Sequence, residues 1–411
     1  MIDFHRFELS NGLKVIYHKD KFSPIAAFNM LYDVGARDEN AHKTGFAHLF
    51  EHLMFGGSLN VKDFDKPLQF AGGQSNAFTS NDITNYYITL PKENLEQAFR
   101  LESDRMLGLA FTPKSLEVQR QVVVEEFKQN YLNQPYGDIH LLLRPLAYKK
   151  HPYQWPTIGK EVSHIENATM DEVKSFFYKH YAPNNAILVV AGDVELDQVK
   201  HLSEKWFGSI ERREYHIRNI TTEPKQTKAR ILKVERDVPV DVIYKAFHMC
   251  ARTHEDFFAT DLISDILSRG HSSRLNHSLV KEQKLFTNID AFVGGSIDNG
   301  LFYFAGKLAP NITMQEAERG MDAEINKLKA NLVSDNELRK VKNKVISAYM
   351  FSELNVLNKA MNLATSELIG DANLVNKQID LYEAVTSDKI MTIAQDVFRN
   401  ENSNTLYYHA K

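Results

Sequence analysis

Two histidines and a glutamate stand in the string His48-Leu49-Phe50-Glu51-His52. Residues four apart share one face of an α-helix, so both imidazoles can meet one metal ion. Glu51, three after His48, stays beside them as an acid/base group. This chemistry suits zinc, which in hydrolytic sites takes three protein ligands and leaves a fourth position for water. Phe46, Leu49, Phe50, Leu53 and Phe55 make the stretch apolar nearly all round, as in a buried helix. Three ionisable side chains in that setting need an ion or a polar network to compensate them. The alternative is coincidence among the chain's 16 histidines, since motifs of this kind do arise by chance.

The surrounding sequence supplies elements that can position such a site. Alternating runs predict strands at Phe7–Leu9, Leu13–Tyr17 and Ala26–Tyr32, paired antiparallel and punctuated by Asn11-Gly12 and Pro24. A helix is expected from Gly45 to Phe55, then strands near Asn76–Ser80 and Thr84–Leu90 around Asn81-Asp82. Helical patterns follow through 93–109, 113–132 and 170–180, then the apolar strand from Ala186 to Ala191, and a helix from Gln198 to Phe207. Residues 209–230 are polar and poor in core formers, which makes them the expected connector between domains 1–208 and 231–411. The second half opens on Ile231–Val234 and Val242–Phe247 about Pro239, echoing the strand, proline, strand order of the N-terminus and hinting at duplication.

At 411 residues the chain has room for two domains, and 43% apolar with 25% charged residues is ordinary globular composition. Forty-nine basic against 53 acidic residues, with no long run of one sign, argue against a nucleic-acid or membrane-surface partner. The longest aliphatic stretch, Ala186–Ala191, is far short of the roughly 18–20 residues that cross a bilayer. The start, MIDFHRFELS, lacks the pattern of a signal peptide. Cys250 stands alone, so no internal disulfide can form and any metal site rests on histidines and carboxylates. A reducing cytoplasm fits best, and a periplasmic setting is compatible.

The reversed zinc motif inside GFAHLFEHLMFGGS resembles that of the pitrilysin/insulinase family of zinc peptidases, which includes the mitochondrial processing peptidase. Further matches are GGQSNAFTSNDITNYY at 72–87, QRQVVVEEFKQN at 119–130, NQPYG at 133–137 and YAPNNAILVVAGD at 181–193. The resemblance implies an α+β fold of two similar domains, each a mostly antiparallel sheet with helices mainly on one face, closing as a clamshell around a chamber. Its first domain, 1–208, would bind Zn2+, and its second, 231–411, would line the chamber. Glu125 and Glu126 are adjacent, about 100° apart on a helix, and periodicity does not choose between them. The resemblance assigns Glu126 as third ligand with His48 and His52, and Glu51 as the catalytic acid/base. It also implies that Ser75, Asn76, Ala77, Phe78 and Thr79 form a strand edge on which an extended peptide lies by β-augmentation.

Two departures accompany it. Relatives carry a glutamate seven residues before the metal-binding one, where this chain has Gln119. They also carry an arginine and a tyrosine seven apart in the second domain. The matching positions here are Leu279 and Phe286, neither able to donate a hydrogen bond to an oxyanion; a shift of register, with Arg274 nearby, is the alternative. The implied function is a zinc metalloendopeptidase acting on extended or unfolded peptides, as the zinc-bearing subunit of a dimer. Its partner would be a homologue with the Arg/Tyr pair, or a second copy. The competing readings are a noncatalytic scaffold or partner subunit of the same fold, and another zinc hydrolase such as an amidase.

Overall fold

The structure, a computed structural model, describes residues 1–214 and 218–411, so residues 215–217 of the expected connector lie outside the described residues. The chain forms two compact units. The first comprises Met1–Asn130, Trp155–Thr221 and Met350–Lys377; the second comprises Tyr131–Gln154, Thr222–Tyr349 and Gln378–Lys411.

The first unit is built on β1 (His5–Glu8), β2 (Lys14–Lys19), β3 (Ile25–Tyr32), β4 (Gln74–Thr79), β5 (Thr84–Pro91) and β6 (Ala186–Gly192). They lie in the order β1-β2-β6-β3-β5-β4, and only β2 and β6 run parallel. The expected antiparallel pairing of the N-terminal strands holds for β1 with β2 but not for β2 with β3, because β6 inserts between them. All seven residues of β6 are buried, and a central place in the sheet pairs both its backbone edges while covering both its faces.

On one face of this sheet Phe28 packs edge-on against Phe99, ring centroids 5.0 Å apart, and Phe207 joins them from the helix Leu196–Phe207. The other face is covered by the helix Val356–Leu368. Its Ala360, Leu363 and Ala364 pack on Ala27, Leu31, Val189 and Ala191, with small side chains on both sides that admit close approach.

The second unit holds β7 (Arg230–Arg236), β8 (Val242–His248), β9 (Phe286–Val293), β10 (Leu301–Leu308) and β11 (Ser403–Ala410), in the order β7-β11-β8-β10-β9. Again a single pair, β7 with β11, is parallel. Its larger core joins Phe247, Phe302, Phe304 and Phe398 to helices Phe257–Ser268, Met314–Ala330 and Ser387–Val397. Its other face is covered by Ile139, Leu143 and Ala147 of the helix Ile139–Ala147, against Val242, Ala246, Leu301 and Leu406.

With β1 set aside, the two sheets are the same: first, fifth, second, fourth and third strand, with the first and fifth parallel. The single helices on the far faces correspond too. Each follows the second long helix after the fourth strand of that set, and each joins the unit formed mainly by the other half of the sequence. The two similar α+β domains are therefore present, with an exchanged helix in each that periodicity alone does not disclose.

Polar residues near the expected connector are held by local partners. Arg218 donates to the carboxylates of Asp33 and Asp38, both at 2.6 Å. Glu223 accepts the backbone N–H groups of Lys149, Lys150 and His151 at 2.8–3.0 Å. Among the described residues no helix is long and apolar enough to cross a membrane.

Candidate metal centre

The motif string forms the helix Phe46–Leu53, entered through Gly45 at φ +89°, a left-handed conformation that favours glycine. A Cβ at Gly45 would also stand 2.6 Å from the Ile158 carbonyl oxygen. No side chain of the N-cap residue closes the helix. Glu39 does so from outside: its carboxylate accepts the N–H groups of Gly45 and Ala47, each at 2.9 Å. The Trp155 indole donates to the same carboxylate at 3.1 Å. Burial pushes the Glu39 carboxyl up to about 8, while these three donors pull the other way. Phe50 packs against both Phe176 and Tyr181, centroids 5.2 and 5.1 Å away, and Phe46, Ala47, Leu49 and Leu53 are buried. With its apolar faces thus committed, the helix turns His48, Glu51 and His52 to its one half-exposed side.

The second contribution comes from the helix Pro113–Phe127, capped by the Thr112 hydroxyl on the Ser115 N–H. The expected helix over 113–132 changes to a π turn at Lys128–Leu132, one residue after this helix ends. Glu126 Oε2 lies 3.4 Å from His52 Nε2 and 3.7 Å from His48 Nε2. Metal–ligand bonds of ~2.1 Å at the tetrahedral angle place neighbouring ligand atoms about 3.4 Å apart, so the donor set and its spacing fit zinc. Among the described residues this is the one group of three or more His, Cys, Asp or Glu side chains that could hold a metal ion. Glu125 is exposed and paired with Lys128 at 2.9 Å.

Burial holds the His48 imidazole below its ordinary pKa against the pull of Glu126, which favours the neutral ring that metals require. The hydrogen bond with His52 holds the Glu126 carboxyl below the usual glutamate range. His48 Nδ1 is buried and has no hydrogen-bond partner among the described residues.

β4 is the edge strand beside this helix, paired only with β5. Gln74, Asn76 and Phe78 are exposed, and Ser75, Ala77 and Thr79 are half-buried. Thr79 at the end of the strand donates its hydroxyl to Glu51 Oε2 at 2.6 Å. Gln119 is half-buried, its amide nitrogen 3.9 Å from where a Cβ on Gly56 would stand. The roles of Glu39 and Trp155 have no local sequence signal, because Trp155 lies 116 residues from the carboxylate that it supports.

In the second unit, Leu279 and Phe286 are core side chains, 0% and 2% exposed, so neither position can present a side chain to a peptide. One residue on, Val280 is half-buried and Thr287 exposed. A register shifted by one residue therefore brings no guanidinium or phenol either. The Thr287 hydroxyl donates to the Lys307 carbonyl, and Arg274 is held by Glu337 through two bonds of 2.9 and 2.7 Å.

Comparison with known proteins accords with this fold. Residues 14–161 match the family model described as insulinase (peptidase family M16), and residues 167–345 match the one described as peptidase M16 inactive domain. The chain is 32% identical over 409 residues to the zinc protease PqqE of Helicobacter pylori, covering 97% of this chain and 91% of that protein. It is 25% identical over 311 residues to the probable mitochondrial-processing peptidase subunit beta of Schizosaccharomyces pombe, covering 72% of this chain and 67% of that one. The crystal structure of a protease from Helicobacter pylori superposes with a TM-score of 0.94 at 30% identity, covering 99% of this chain and 100% of that one. The chain therefore belongs to the insulinase family, peptidase family M16.

Proposed function

We propose that this chain is a zinc-dependent metalloendopeptidase acting on extended or unfolded peptides. The observation that carries the reading is the convergence of His48, His52 and Glu126 beside an edge strand, with Glu51 between them and that strand. His48, His52 and Glu126 would hold zinc, which when bound supplies Lewis-acid polarisation of the scissile carbonyl and activation of the attacking water. Glu51 takes the proton of that water and passes it to the leaving amine. The unpaired backbone edge of β4 hydrogen-bonds an extended peptide, with pockets beside Ser75, Asn76, Ala77 and Phe78 setting preference.

The same reading divides the chain into a zinc-binding domain at 1–208 and a second domain at 231–411, joined by 209–230. Because neither candidate register in the second domain carries the Arg/Tyr pair, the active form is a dimer with a homologue that supplies it, or with a second copy. The setting is the cytoplasm. A noncatalytic scaffold subunit is the competing reading, and the retained donor set speaks against it.

Hydrolysis of a quenched, unstructured peptide by the purified chain is the test, run alone and with such a homologue, with and without a chelator. Chelator-sensitive cleavage that rises on adding the homologue is expected. A metal-free chain that cleaves nothing under any condition points to the scaffold, and vigorous cleavage unchanged by the homologue removes the need for a partner.

A further inference from the structure

A glutamate side chain samples many rotamers, and a base that must meet one water molecule loses rate whenever its carboxylate points elsewhere. We propose that Thr79 is a positioning residue, tethering Glu51 through Oε2 so that Oε1 is the oxygen that receives the proton. This rests on the assignment of Glu51 made above and moves Thr79 out of the set of peptide contacts.

The bond from Thr79 Oγ1 to Glu51 Oε2 is 2.6 Å, in the short range of charge-assisted hydrogen bonds. A threonine hydroxyl has one proton, and here it is spent on the Glu51 carboxylate, so the direction of the bond is set. Oε1 receives no hydrogen bond from the described residues. The tether is stiff at its root: Thr79 pairs with Thr84 in the β4–β5 ladder, and its branched Cβ restricts χ1. Strand alternation turns Ser75, Ala77 and Thr79 to one side, so the residue facing the motif helix is selected by the same period that leaves Asn76 and Phe78 exposed.

Thr79→Val keeps the shape and strand propensity of the side chain and removes only the hydroxyl. It should lower kcat about 10–100-fold, leave KM within about twofold, and retain full zinc content. Thr79→Ser should keep kcat within about threefold of the parent. The crystal structure of T79V should show the Glu51 carboxylate swung away or spread over rotamers, a readout independent of turnover, and T79A should repeat the pattern should valine disturb the packing. A rise in KM at unchanged kcat would make Thr79 a peptide contact. An unmoved Glu51 in T79V, or equal losses in T79S and T79V, would also overturn the proposal. Glu51→Gln measured in parallel separates the two ideas: full activity there would remove Glu51 as the base, while the T79V structure would still report on the tether.

Discussion

In the first unit the helix that follows β3 presents His48, Glu51 and His52; in the second, the helix that follows β8, the matching strand, carries Asp261 and Asp265 at the same four-residue spacing. Their fates differ. Asp261 accepts the Tyr382 hydroxyl at 2.6 Å, Asp265 is paired with Arg269 at 3.2 Å, and burial pushes both carboxyls up. The helix Asp335–Ser352, counterpart of the ligand helix Pro113–Phe127 in element order, spends its Glu337 on Arg274. Wherever the second unit places an acid in these matching positions, a protein group neutralises or bonds it. In the first unit the donor atoms of His48, His52 and Glu126 face one another. The repeated fold is thus a frame; a site arises where that frame gathers donors and withholds a protein cation from them.

Separating the two frames by mutation gives the largest effect. His52→Ala should lose most of the bound zinc by elemental analysis, whereas Asp265→Ala should retain it; a full equivalent of zinc in the His52 variant would break the comparison. Next in size, Glu51→Gln should keep the metal and reduce turnover by about 10²–10⁴-fold, because the amide cannot accept the proton. Undiminished hydrolysis would show that the first unit's helix supplies ligands alone.

Glu39→Ala tests what orients that helix. It removes the acceptor of the Gly45 and Ala47 N–H groups and one of the two acceptors of the Trp155 indole, which keeps the Ala36 carbonyl, and should cost about 3 kcal/mol. Hydrogen exchange at the first turn of the motif helix should quicken, with the second unit's helices unchanged. The smallest effect belongs to Glu223 in the second unit. Burial raises its carboxyl, but three backbone donors bring it below the usual glutamate value. Its folded pKa is depressed, so its stabilisation is complete above the unfolded value of about 4.5 and is lost as pH falls through the folded one. Glu223→Gln should therefore cost about 1 kcal/mol near neutrality, allowing for solvent screening, and the gap should close in denaturant titrations at lower pH. A gap that widens on acidification would reverse the sign of this linkage.

Features whose cause lies within a few residues are legible before any fold is known. The i, i+4 relation of His48 and His52 is a property of any helix, and the apolar run around them selects which helix it is. The strand segments, the helix 170–180 and the echo between the two halves are legible for the same reason. Tertiary structure alone decided the rest. Glu126 rather than Glu125 meets the histidines because packing sets the rotation of one helix against another. β6 stands between β2 and β3, about 170 residues from the former, because only a fully buried strand can fill the middle of that sheet. Helix Val356–Leu368 covers Ala27 and Leu31, Leu279 and Phe286 turn into a core, and Thr79 reaches Glu51. Each of these is a pairing between residues distant in sequence or a choice of face, and neither is written in a local period: it exists only once burial has brought the two surfaces together.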